Sequence, residues 1–157
     1  MSLMIYLVGP LDTEAEREHN DELAARLRHT GAWVYVPYEM GLVGDVYRYN
    51  MQSWEKEEGD TRVCITAKEA RAKAAQFVWR KNKAAMERCD MCVANLLRRD
   101  CPDTMFKLGI LHNSAKHIVG VRPDFELGLA LEQTVRWMPN LESLLAEVNT
   151  CQKALRA

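Results

Sequence analysis

The sequence lacks what several large protein classes require. No apolar run approaches the roughly 20 residues that span a bilayer, and no basic segment leads into a long apolar stretch and cleavage site, so the chain is read as cytoplasmic with no membrane partner. An excess of charge of one sign is also missing: 21 Lys and Arg against 22 Asp and Glu leave a net charge of −1. A dedicated nucleic-acid binder needs a basic surface to neutralise phosphates, so no nucleic-acid partner is expected. Neither G-x-G-x-x-G nor the P-loop pattern occurs, which removes dinucleotide and P-loop readings, and the absence of G-x-S-x-G removes the serine-hydrolase elbow. Repeats and low-complexity tracts are missing too.

Disulfide spacing is absent as well. The five cysteines, Cys64, Cys89, Cys92, Cys101 and Cys151, are an odd number without a framework pattern, which suits reduced thiols. "CDMC" at 89–92 has the spacing of half a zinc site, but no second pair or His-x-His partner follows. Cys92 lies in an apolar run and reads better as a small buried side chain. No metal and no cofactor are expected.

What the chain does contain is a strand-then-helix rhythm. "MIYLVGP" is a short apolar run ending at Gly9-Pro10. The following helix carries Ala15, Leu23, Ala24 and Leu27 at helical spacing, opens on a Thr13 to Glu16 capping box and stops at Gly31. "AWVYVP" is a second strand, and the polar, aromatic stretch from Tyr38 to about Arg62 reads as a long loop. Thr66 and Glu69 open a long helix through Arg88, with Ala70, Ala74, Phe77, Val78 and Ala85 along one stripe. "MCVANL" is the third strand. A helix from about Thr104, the strand "HIVGVR" and two helical stretches around "LALEQTVRW" and "NLESLLAEVNTCQKAL" complete the chain.

Nearly continuous apolar strands separated by helices imply a parallel sheet covered on both faces. The expected fold is α/β, one domain over residues 1–157, with a doubly wound Rossmann-like or flavodoxin-like sheet of about four to five strands. Ligands bind such sheets at the carboxyl ends of the strands. Gly9-Pro10, Pro37 to Met40, Leu96 to Thr104 and Arg122 to Phe125 should therefore line one rim.

Several stretches together resemble the nucleoside 2-deoxyribosyltransferase family over most of the chain. "IYLVGPLDTEAEREHNDELAARLRHTG" is similar to its opening strand, Gly-Pro turn and acidic first helix. "RKNKAAMERCDMCVANL" resembles its pocket helix, with Asn82 and, eight residues on, Asp90. "PDTMFKLG" at 102–109 stands where the family has a Gly-Thr-Ala-Phe-Glu-Leu-Gly run. "AKHIVGVRPDF" and "LALEQTVRWMPNLESLLAEV" resemble the next strand and the closing helices.

The resemblance implies a homo-oligomer of small α/β subunits that handles deoxyribonucleosides or their monophosphates. Family members break the bond between base and sugar through a covalent intermediate on a glutamate. Such chemistry needs a carboxylate beneath an oxocarbenium-like carbon and a second group to manage the proton of the base. By the resemblance that glutamate falls on Lys107 and an acid six positions earlier falls on Cys101, so both carboxylates are replaced. Asp103 takes a family glycine position, while Thr104, Phe106, Leu108 and Gly109 match. Gly9, Pro10 and Asn82 keep pocket positions, and Arg122 joins the substrate rim.

An ammonium at residue 107 would repel the positive transition state. "DFELGLA" at 124–130 offers another register, with Glu126 as the acid; against it, no strand is expected after Glu126. Two readings follow. One is an enzyme of the deoxyribosyltransferase or N-glycosidase type with a displaced acid such as Glu126 or Glu39. The other is an inactive relative that binds a nucleotide or other anion, with Lys107, Arg98, Arg99 and the start of the helix near Thr104 as the anion site. Lys107 could equally be a solvated helix residue. Asp103 is expected as the cap of that helix, Asp90 as structural, and His112 and His117 as ordinary surface histidines. Tyr38, Tyr47, Tyr49 and Trp54 offer surfaces to stack a base, pack the loop or meet another subunit.

Overall fold

Three runs of buried apolar residues form the centre of a five-stranded sheet in the computed structural model, which describes residues 2–40 and 67–156. β1 (Met4–Val8), β3 (Met91–Ala94) and β4 (His117–Val121) are buried along nearly their whole length, as strands covered on both faces must be. β2 (Trp33–Tyr35) and β5 (Arg136–Met138) are only three residues long, partly exposed, and close the two edges. All pairings are parallel, in the order β2-β1-β3-β4-β5. Tyr47, Tyr49, Trp54, Cys64 and Thr66 lie outside the described residues.

Five α-helices are described: α1 (Glu14–His29), α2 (Ala67–Arg88), α3 (Pro102–Asn113), α4 (Leu129–Thr134) and α5 (Leu141–Ala154), with a single 3-10 turn at Pro37–Met40. The β1-to-β2 connection runs toward one edge and the β3-to-β4 connection toward the other. Right-handed crossovers then place α1 and α3 on opposite faces, which is the doubly wound arrangement. α1 packs on β2 and α5, α5 on β4 and β5, and α3 on β1 and β4. Leu27, Leu108, Leu111, Leu144 and Val148 are the anchors of these helices, essentially without exposure. Burying each contributes about 1.5–3 kcal/mol.

The chain divides into two compact units, Met1–Val36 with Ala85–Ala157, and Pro37–Ala84. The entire sheet belongs to the first. The second holds the 3-10 turn and most of α2, where Ala74 and Asn82 are buried and Lys81 lies 5.5 Å over the Phe77 ring.

α1 opens on the expected box: the Thr13 hydroxyl accepts from the Glu16 amide at 3.2 Å, and the Glu16 carboxylate accepts from the Thr13 amide at 3.0 Å. Gly31 follows the helix end at φ 84°, a conformation that favours glycine. Leu23, Ala24 and Leu27 are buried as expected, whereas Ala15 faces solvent and the stripe continues through Glu16 and Asn20. On α2, Phe77 is also exposed rather than part of the buried stripe. The stretch "LALEQTVRW", read as helical, splits into α4 and the edge strand β5.

Candidate functional site

The strand order reverses between β1 and β3, so their carboxyl ends form the switch point where a ligand site is expected in this topology. Gly9 follows β1 there because nothing larger fits. A Cβ on it would sit 2.7 Å from Asn20 Oδ1 and 2.8 Å from the Asn95 carbonyl. Asn20 spans the point: its Nδ2 donates to the carbonyls of Pro10 and Glu16, both at 2.8 Å, and its Oδ1 accepts from Asn95 Nδ2 at 2.9 Å. The Asn95 amide in turn donates to the Val8 carbonyl at 2.8 Å. Two buried asparagines thus fix the Gly-Pro turn against the end of β3.

The loop after β3 is tied to the same corner. Arg98 donates through Nε to Glu16 at 2.7 Å, and its other nitrogens reach the Asp12 carboxylate and the Asp100 carbonyl. Burial pushes the Glu16 carboxyl up, but the Thr13 and Asp12 amides and the Arg98 guanidinium outweigh it and hold the group below its usual value. Arg98 is therefore consumed in clamping the loop to α1. Arg99 lies 5.8 Å over the Phe125 ring. The expected anion site of Lys107, Arg98 and Arg99 does not form as a cluster of uncommitted cations.

α3 starts at Pro102, with Cys101 as its buried N-cap, which makes no side-chain capping bond. Asp103 is consequently a first-turn residue and not the cap. Its carboxylate is ion-paired with Lys107, one turn later on the same face. Lys107 is no solvated helix residue: it is buried, while its neighbour Phe106 is 60 % exposed. The Asp103 side chain remains 72 % exposed. Lys107 thus carries its aliphatic stem through the core and delivers a counter-charge to an acid at the surface. Thr104 is fully buried beneath them.

Tyr6, the middle residue of β1, completes this corner. Its ring stacks on Tyr35 at 5.5 Å and 15°, and its hydroxyl is buried with no hydrogen-bond partner among the described residues. Burial first, then the nearby Tyr35, Cys92 and Asp103 groups, push its phenol well above the usual tyrosine value. Asp103 therefore lies within electrostatic reach of a neutral phenol whose polar tip is unsatisfied.

The remaining expected residues have settings of their own. Arg122 pairs with Glu132, on α4. Glu126 is exposed in the loop beyond β4, and a strand, β5, does follow it, so the objection that none would does not hold. Asn82 is buried on α2 in the other compact unit. Asp90 is structural, its carboxylate accepting from the Met4 amide at 2.8 Å. Cys89 and Cys92 are both buried, and burial pushes both thiols up. On the α1 side, Asn95, Val121, Leu23 and His19 line a cavity of about 210 Å³, less than the roughly 300–1,000 Å³ of typical small-molecule pockets.

Sequence reading missed Tyr6, Asn20 and Asn95. Asn20 did leave a signal, since it is a polar residue on the apolar stripe of α1, where a side chain must find partners.

A parallel sheet in this order, with its switch point at Gly9 and Asn95, defines a doubly wound α/β fold. The family model for nucleoside 2-deoxyribosyltransferase matches residues 5–140, and the chain belongs to that family. Among solved structures, it is similar to the 2-deoxyribosyltransferase of the psychrotolerant bacterium Bacillus psychrosaccharolyticus, at 16% identity and TM-score 0.64, covering 92% of this chain and 94% of that one. It is also similar to a conserved protein from Enterococcus faecalis V583, at 14% identity and TM-score 0.62, covering 96% and 99% respectively. At these identities the likeness is one of fold. No curated protein sequence matches the chain.

Proposed function

We propose that this protein acts on the N-glycosidic bond of a deoxyribonucleoside or its monophosphate, with Asp103 supplying the carboxylate that faces the anomeric carbon. The observation that carries this reading is the buried Lys107 paired with the exposed Asp103. By family resemblance, residue 107 is the place of a glutamate, and an ammonium there cannot stabilise an oxocarbenium-like carbon. The carboxylate held one turn earlier can. Lys107 orients it through their ion pair. The Tyr6 phenol, neutral, buried and without a hydrogen-bond partner among the described residues, lies within electrostatic reach of that carboxylate.

In the reaction, a carboxylate oxygen of Asp103 would approach the anomeric carbon as the base departs with the bonding pair. Water or a second base would then release the sugar. The base-release assay separates this from binding alone. Asp103→Asn should lower release of base from deoxynucleosides on the order of 10³-fold or more. Lys107→Met should lower it less, because the acid survives.

A second reading is favoured by the same buried cation: a relative that binds a nucleotide without turnover. It predicts no base release, and thermal stabilisation by a nucleotide that Lys107→Met abolishes. Self-assembly and a cytoplasmic setting belong with the proposal. Phe106 and Leu129, the latter 79 % exposed, support assembly, and no described helix is long and apolar enough to cross a membrane.

A further inference from the structure

At the opposite, amino edge of the sheet, three side chains of different chemistry converge. His117 is the first residue of β4, while Glu147 and Cys151 lie one turn apart on the face of α5 that covers β4 and β5. Their ligand atoms all fall within 4.8 Å of one another. His117 Nε2 is 3.3 Å from Glu147 Oε1. We propose that His117, Glu147 and Cys151 form a binding site for one zinc ion.

The donor set selects the metal. Imidazole, carboxylate and thiolate together suit a borderline-soft divalent ion, whereas magnesium and calcium take oxygen ligands. Tetrahedral zinc with bonds of about 2.0–2.3 Å sets its ligand atoms roughly 3.3–3.8 Å apart. The three groups therefore need to close by about 1 Å, within the reach of side-chain rotation on a fixed strand and helix. Three protein ligands leave the fourth position to water. The helix supplies two ligands at i and i+4, a spacing that puts both on one face.

One group opposes the ion. Arg136, the first residue of β5, donates from Nη1 to Glu147 Oε1 at 2.8 Å. Its side chain is 63 % exposed and can turn to solvent, and both recorded contacts of Glu147 use the same oxygen. Arg136 thus holds the carboxylate in place and competes with the metal for it. Cys151 is part of the same charge field: burial and Glu147 push its thiol up, and Arg136 draws it down. Nothing in this site depends on the reading of the nucleoside corner.

Titrating the full chain, reduced and free of metal, with cobalt and then zinc tests the site. One equivalent of cobalt should produce a thiolate-to-metal charge-transfer band that zinc displaces. The band should vanish in Cys151→Ser and persist in Cys64→Ser. His117→Asn and Glu147→Gln should weaken zinc binding by at least about tenfold, and Arg136→Gln should tighten it. A missing band, a band that survives Cys151→Ser or one that depends on Cys64 would overturn the assignment. If Cys151→Ser fails to fold, the half-exposed His117→Asn decides: unchanged zinc affinity overturns it.

Discussion

Asn20→Ala should destabilise the protein far more than an ordinary helix substitution. The side chain is almost wholly buried, donates to the Pro10 and Glu16 carbonyls at 2.8 Å and accepts from Asn95 Nδ2 at 2.9 Å. Truncation leaves two buried groups, the Pro10 carbonyl and the Asn95 amide, without these partners, at about 1–3 kcal/mol each. Water admitted to the gap recovers part of that, so the expected loss is about 3 kcal/mol. For a chain of this size each kcal/mol moves the melting temperature by about 2–4 °C, giving a fall of roughly 6–12 °C. Asn20→Asp should be no better, because it sets an oxygen against the Pro10 carbonyl. Urea unfolding of Asn20→Ala, Asn95→Ala and the double variant measures the link directly, with an expected coupling of about 0.5–3 kcal/mol. A loss below about 0.5 kcal/mol for Asn20→Ala, or strict additivity of the two changes, would refute the reasoning.

Tyr6→Phe should raise stability by about 1–3 kcal/mol, since it removes a buried hydroxyl that has no hydrogen-bond partner among the described residues; a variant less stable than wild type contradicts this. Gly120→Ala should cost about 1–3 kcal/mol or more, because its Cβ would meet the Ala94 carbonyl at 2.5 Å and Trp137 at 2.9 Å, as thermal melts can show. Glu16→Gln should be less stable than wild type at neutral pH. Because the folded-state value of Glu16 is lowered, its contribution is present above the ordinary glutamate range and lost as pH falls through that lowered value. A stability gap that stays constant into acid would contradict it.

The central strands were legible because each is a short, continuous apolar run, and continuity is what burial on both faces demands. The start and stop of α1 were legible because Thr13, Glu16 and Gly31 act locally. β5 was not. Arg136, Trp137 and Met138 form an edge strand, partly exposed and only three residues long, directly after a short helix, so no alternation marks it. The pairing of Arg98 with Glu16, 82 residues apart, has no local signature. Nor does the approach of His117 to Glu147. Lys107 was the hardest residue to read. Phe106 is exposed while the lysine beside it is buried, the inverse of what hydropathy suggests, and the Asp103 carboxylate one turn away meets the lysine's charge. Resemblance to the family marked 102–109 as the place to look, and the structure shows there an ion pair between Asp103 and Lys107.

Release of free base from deoxynucleosides and their monophosphates, compared for wild type and Asp103→Asn, tests the central claim most directly. The account predicts turnover by the wild type that Asp103→Asn abolishes without changing the fold. Turnover that survives Asp103→Asn, above all if Glu126→Gln abolishes it instead, would contradict the account.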